Sequence, residues 1–131
     1  MNNVLLQADS YKLSHFSQYP KGTEYIYSYI EPRKGHYPVV VLGIEEFTDR
    51  IAKGLTYTNV TELRALAQLH GVPFNTDGWN ALLSKHGDSG FPLKVMGVPE
   101  GTIVGPGYPA AAIINMDPEF PWLTSFFETL F

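Results

Sequence analysis

The 131-residue chain contains no cysteine. Disulfide scaffolds, thiolate nucleophiles and cysteine-based zinc sites are therefore excluded. Charge is scarce as well: 17% of residues are Asp, Glu, Lys or Arg, 13 acidic against 9 basic, for a net charge of -4. With no cluster of Lys or Arg, the sequence lacks the electrostatic footprint of a nucleic-acid binder. No apolar run approaches the roughly 18 residues of a spanning helix. The opening segment, Met1 to Gln7, has no positive charge and too short an apolar stretch for a secretory signal. The expectation is a soluble, cytoplasmic chain with no nucleic-acid and no membrane partner. What is present is apolar and aromatic. Hydrophobic residues make up 44%, which argues against disorder, and the length suits one domain over residues 1–131 with its own core. Eight Tyr and eight Phe fit either a tyrosine-rich sheet or a surface that receives a ligand or partner.

The order of local signals predicts an α+β chain, a mixed domain with an antiparallel sheet and flanking helices. Asp9-Ser10 offers an N-cap for a short helix over Tyr11 to Gln18, ended by Tyr19-Pro20-Lys21-Gly22. Glu24 to Glu31 alternates, with Tyr25, Tyr27 and Tyr29 on one face and Ile26, Ser28 and Ile30 on the other, which predicts a strand. Pro38 to Gly43 is a short β-branched run. Ile44, Phe47, Ile51 and Leu55 recur at helical spacing up to Gly54. Asn59 with Glu62 reads as a capping box for a helix carrying Leu63, Leu66, Ala67 and His70 inward. Thr76-Asp77 opens another helix with Trp79, Leu82 and Leu83. Three strands follow, over 93–98, 102–104 and 110–115, read as a compact meander. Asp117-Pro118 marks a helix start, with Leu123, Phe126, Phe127 and Leu130 on one face. The uncapped apolar end at Phe131 suggests a piece of a larger core.

Few residues carry a chemical signal on their own. No glycine-rich loop sits between a strand and a helix, and His15, His36, His70 and His86 form no close pair, so neither a dinucleotide loop nor a metal site is expected. Two places remain. Asp9-Ser10-Tyr11-Lys12 packs a carboxylate, a hydroxyl, an aromatic face and an ammonium together. It can grip a small planar ligand or simply cap and pack a helix. Arg33-Lys34 follows a strand and can hold phosphate or stand as a solvated pair. Spacing alone favours the structural account of both.

Their flanks add a resemblance. Leu5-Leu6-Gln7-Ala8-Asp9-Ser10-Tyr11-Lys12, His15 and Gln18-Tyr19-Pro20 resemble the N-terminus of nicotinamide phosphoribosyltransferases. Tyr27-Ser28-Tyr29 with Glu31 and Arg33, Gly78-Trp79-Asn80, Val98-Pro99-Glu100-Gly101, Asp117-Pro118-Glu119, Trp122-Leu123-Thr124 and Glu128-Thr129 follow in the family's order. The stretch from His36 to Asn75 matches least well.

The resemblance implies an enzyme family that joins nicotinamide to 5-phosphoribosyl 1-pyrophosphate with Mg2+, giving nicotinamide mononucleotide and pyrophosphate in NAD salvage. It implies homodimers with active sites at the subunit interface, and an α/β barrel that follows this region and is lacking here. By that match Tyr11 stacks on the nicotinamide ring, Asp9 lines the same pocket across the interface, and Arg33 contacts phosphate groups, with Lys34 a further candidate. No catalytic residue and no cofactor site is assigned to this chain, and the chain alone is expected to be inactive. The nicotinate-specific relative is a close variant; the Asp-Ser-Tyr-Lys run favours nicotinamide. A second reading is a free-standing, non-catalytic protein that associates with a full-length subunit. A third is an interaction domain with an unrelated ligand.

Overall fold

The computed structural model describes residues 3–35 and 37–130, so His36 and the chain end at Phe131 lie outside the described residues. A 3₁₀ turn, Val4–Gln7, leads into a 3₁₀ helix, Ser10–Ser17. Among the described residues five strands and four α-helices follow: β1 Tyr27–Ile30, β2 Val39–Val40, α1 Ile44–Ala52, α2 Tyr57–Leu69, α3 Thr76–His86, β3 Leu93–Gly97, β4 Ile103–Val104, β5 Ala111–Asn115 and α4 Trp122–Phe127. A last 3₁₀ turn covers Glu128–Leu130. This is the mixed α and β architecture with small antiparallel sheets that the sequence predicts. Among the described residues no helix is long and apolar enough to cross a membrane.

The main sheet is antiparallel in the order β1-β5-β3. Ile113 at its centre faces Ser28 on one side and Val95 on the other. Central β5 is buried along most of its length, whereas β1 shows the predicted alternation, with Tyr27 and Tyr29 exposed and Ser28 and Ile30 half-buried. Strand β1 is shorter than the alternating pattern because buried Asn115 replaces the ladder at its start. Its side-chain oxygen accepts from Ile26 N at 2.8 Å, and its amide nitrogen donates to Glu24 O at 2.8 Å.

The later strands do not form a meander. Strand β4 leaves the main sheet and pairs with β2, so β3 and β5 pair directly with each other. Gly101, at φ 82°, allows the turn before β4, and Gly101 N donates to Val41 O at 2.8 Å. The Glu100 carboxylate in that turn accepts from Gly43 N and Glu45 N, both at 3.0 Å. It supplies the cap that α1 lacks locally, since Gly43 has no side chain to do so.

Two helix boundaries differ from the sequence reading. The capping box of α2 is Thr56 with Asn59, not Asn59 with Glu62. Asn59 N donates to Thr56 Oγ1 at 3.2 Å, and Thr56 N donates to Asn59 Oδ1 at 3.0 Å. Asn59 thus fills the role usually taken by Glu or Gln, while Glu62 accepts from Asn3 Nδ2 at 2.9 Å. His70 is exposed past the end of α2. The last helix begins at Trp122 rather than after Asp117-Pro118. A helix through 118–121 would push the Pro121 ring against the Asp117 carbonyl. Instead Asp117 Oδ1 accepts from Glu119 N at 3.0 Å and Asp117 O accepts from Phe120 N at 3.1 Å.

The core lies where α3 and α4 meet below the sheet. Trp79 is 1% exposed and meets the edges of Trp122 and Phe126 at ring-centroid distances of 4.7 and 5.2 Å. Phe127 packs on Phe91 at 4.7 Å. Leu5 and Leu13 join the same core from the N-terminal segment. That fixes the 3₁₀ helix against α4 and places its remaining side chains.

Candidate functional site

A 3₁₀ helix has about three residues per turn, so every third side chain falls in one row. In Ser10–Ser17 this puts Leu13 and Phe16 in the row toward the core, Lys12 and His15 in a second row, and Tyr11 with Ser14 in a third. Their burial follows: Leu13 and Lys12 are buried, His15 and Phe16 half-buried, Tyr11 53% exposed. Asp9 stands at the N-cap position in extended conformation, but its side chain makes no capping hydrogen bond. The Asp9 carboxylate is therefore not used as the local cap. Its backbone amide donates to Thr129 Oγ1 at 3.4 Å.

Lys12 is 6% exposed. A buried ammonium is stable only when paired, and Lys12 Nζ forms an ion pair with Glu128 Oε1. The other oxygen, Glu128 Oε2, accepts from Ser28 Oγ at 2.9 Å. One carboxylate thereby joins the N-terminal 3₁₀ helix, strand β1 and the turn after α4. Beside this group His15 Nδ1 lies 2.7 Å from Ser125 Oγ on α4. Burial first, and then the Lys12 charge, hold His15 below its ordinary 6.5, with Glu128 pulling the other way. Burial raises the Tyr19 hydroxyl above its usual 10.0, opposed by Ser125 and aided by Glu128. Lys12 and His15 both border Tyr11. The two rings lie 5.6 Å apart between centroids, and Lys12 Nζ is 5.4 Å from the centre of the Tyr11 ring.

An open groove of about 600 Å³ runs along β1, lined by Tyr27, Ser28, Tyr29, Arg33, Glu128 and Thr129 among others. Arg33 thus shares Glu128 and Thr129 with the segment that carries Asp9 and Tyr11. Lys34 lines no part of this groove; its stem lies along Gly107 instead. The structure therefore brings three of the four sequence candidates around one acidic turn and leaves Lys34 apart. A hollow of about 470 Å³ between the N-terminal turn and α1 is lined by Glu46, Asp49, Arg50 and Lys53 among others, and holds none of the candidates.

Sequence reasoning missed the pairing that organises the site. Lys12 and Glu128 are 116 residues apart, and Ser28 and Glu128 are 100 apart, so no local pattern links them. A second polar cluster was also missed. Asp117 Oδ2 meets Lys85 Nζ and His86 Nε2, both at 2.8 Å, and Lys85 also reaches Glu119 at 3.1 Å. Burial opposes the Asp117 charge, but the hydrogen bonds from Lys85, His86 and the Glu119 amide outweigh it and bring Asp117 from 3.8 to about 2. These bonds tie the end of α3 to the turn before α4.

Chemically, the first cluster offers an exposed aromatic side chain at Tyr11, a carboxylate at Asp9 that does not cap its own helix and a guanidinium at Arg33. Among the described residues no three His, Asp or Glu side chains converge as a metal site.

The chain is similar to known proteins. The sequence model described as nicotinamide phosphoribosyltransferase, N-terminal domain, matches residues 3–95. A nicotinamide phosphoribosyltransferase of Xanthomonas campestris pv. campestris is 34% identical over 132 residues, covering 99% of this chain and 28% of the relative. Another from Acinetobacter baylyi is 29% identical over 145 residues, covering 98% of this chain and 29% of the relative. The chain thus spans less than a third of either relative. The crystal structure of human nicotinic acid phosphoribosyltransferase shares the fold, at a TM-score of 0.61 and 18% identity over 93% of this chain and 24% of that one. From the match over residues 3–95, this chain belongs to the nicotinamide phosphoribosyltransferase N-terminal domain family.

Proposed function

We propose that this chain acts as the N-terminal part of a nicotinamide phosphoribosyltransferase and contributes binding groups, not catalytic ones, to a composite active site. In this reading the enzyme joins nicotinamide to 5-phosphoribosyl 1-pyrophosphate, forming nicotinamide mononucleotide and pyrophosphate for NAD salvage. Tyr11 stacks on the nicotinamide ring and Asp9 accepts from a polar N–H in the same pocket, both reaching a partner subunit's site across a homodimer interface. Arg33 holds phosphate groups of the sugar substrate. Lys34, set apart from the groove, is the weakest of the four contacts.

The observation that carries the reading is the state of Tyr11. The residue is 53% exposed, yet the one after it is buried and ion-paired, so an aromatic side chain is offered to solvent from an anchored backbone. That is the condition for stacking without a large ordering cost. Binding, rather than chemistry, is assigned here because the titratable groups beside Tyr11 are already engaged, His15 with Ser125 and Lys12 with Glu128. Glycosyl transfer requires both substrates aligned and the developing charge stabilised, and Tyr11 with Arg33 does neither. The isolated chain is therefore proposed to be inactive. Mg2+ is kept as a requirement of the whole enzyme, with no ligand assigned in this chain.

The test is formation of nicotinamide mononucleotide by this chain, alone and mixed with a full-length family subunit whose own N-terminal segment is disabled. Product in the mixture alone supports contribution in trans. Product from the chain alone overturns the assignment of catalysis to the rest of the enzyme. Absence of product from both, with the chain folded, favours the alternative of a non-catalytic protein that accompanies a full-length subunit.

A further inference from the structure

Lysine is among the residue types least often buried, and Lys12 is 6% exposed. Neither the stacking role of Tyr11 nor the phosphate role of Arg33 uses its ammonium. Stability alone does not call for it, because a buried ion pair is often matched or exceeded by an apolar pair of similar volume. An ion pair supplies direction instead: a charge-assisted hydrogen bond fixes where its two backbones stand.

We propose that Lys12, Glu128 and Ser28 are positioning residues that set the two substrate-contacting elements in register. This rests on the reading of Tyr11 and Arg33 given above. Three features carry it. The 3₁₀ helix Ser10–Ser17 does not hold itself, since 3₁₀ hydrogen bonds have poor geometry and Asp9 gives it no side-chain cap. The Lys12 ammonium sits 5.4 Å from the Tyr11 ring centre, so its placement is passed directly to the ring. The two oxygens of Glu128 serve different elements: one holds the helix bearing Tyr11, the other holds Ser28 on β1, the strand that leads into Arg33. A single carboxylate is thus the common reference for the ring-binding and phosphate-binding sides, and supporting groups of this kind keep a site within its productive geometry.

The experiment joins this chain to the remainder of the Xanthomonas campestris relative and varies nicotinamide in steady-state kinetics. Lys12→Met, Glu128→Gln, Ser28→Ala and the paired change Lys12→Met with Glu128→Leu are compared with Tyr11→Ala. On the 131-residue chain itself, the thermal midpoint and the nuclear Overhauser contact between the Tyr11 and His15 rings are measured. Lys12→Met is expected to raise the nicotinamide KM by up to about tenfold and by no more than Tyr11→Ala does, because it acts through that ring, while kcat stays within about twofold. The apolar pair is expected to recover the thermal midpoint, but not the KM or the ring contact. Should a single variant fail to fold, the apolar pair gives the same readout. Recovery of KM together with the midpoint would show a merely structural pair and overturn the proposal. So would a normal KM in Lys12→Met and Glu128→Gln when Tyr11→Ala raises it. A normal KM in all of them, Tyr11→Ala included, removes the stacking reading itself and the positioning role with it. If the joined enzyme does not turn over, the ring contact decides: its survival in the apolar pair overturns the proposal, and its loss at a recovered midpoint supports it.

Discussion

Tyr11 and Lys12 are adjacent in sequence and opposite in fate, the first residue 53% exposed and the second 6% exposed. The difference follows from the 3₁₀ rows and from what each row meets. If the exposed ring stacks on nicotinamide, the face matters and the hydroxyl does not. Tyr11→Phe should leave the nicotinamide KM close to wild type in the joined enzyme. Tyr11→Ala should raise it up to about tenfold, since an aromatic pair is worth about 0.5–1.5 kcal/mol. Equal effects of the two changes in steady-state kinetics would remove the stacking role. His15 makes a second residue-scale prediction. Its folded value lies below 6.5, so between the two values the unfolded chain binds the proton more readily. Its contribution to stability is fully present above 6.5 and is lost as pH falls through the folded value. Denaturant melts across that range should show the decline, and His15→Gln should flatten it. Asp117 behaves alike in sign but much lower: stability present above 3.8 is lost as pH falls toward about 2, and Asp117→Asn should blunt that acid limb.

At the scale of elements, helix starts and turns carry the strongest local demands. Thr56 supplies the side-chain half of the α2 capping box. Thr56→Ala should therefore cost about 1 kcal/mol, measured by denaturant unfolding. Gly90 has φ 82°, and a Cβ there would stand 2.6 Å from Ala52 O. Gly90→Ala should be more costly than the cap, on the order of 1–3 kcal/mol, because backbone strain and a backbone clash combine. The core junction is costlier again. Trp79, fully enclosed between Trp122 and Phe126, should lose about 3–5 kcal/mol on change to Ala. That loss should loosen α4, the element that carries Ser125 to His15. Much at this scale was legible in the sequence. The alternation of Tyr27 to Ile30 and the spacing of Phe47 and Ile51 placed β1 and α1, because period and burial are local properties. Misplaced boundaries had physical causes one step beyond the pattern. Thr56 outcompeted Asn59 for the cap position, and Pro121 delayed α4.

At the scale of the whole molecule, the small β2-β4 sheet carries an apolar surface. Val40, Leu42, Ile103 and nearby Tyr108 are 55%, 73%, 70% and 70% exposed. Val40 and Ile103 are cross-strand partners, so their apolar side chains stand side by side in solvent. The 131-residue chain should enhance the fluorescence of a hydrophobic dye, and Leu42→Ser with Ile103→Thr should reduce that enhancement without lowering the thermal midpoint. A fall in the midpoint would place those side chains in the core instead. The composition, the mixed α and β order, the strand faces and the ordered motifs of the family were all determined by the sequence itself, through local propensity and periodicity. Tertiary structure alone decided which distant groups share a site. Lys12 and Ser28 meet Glu128 across 116 and 100 residues of chain, and β4 leaves its sequence neighbours for β2. Pairings of this kind depend on how the elements pack around a common core, and side-chain periodicity along one element holds no information about which other element will face it.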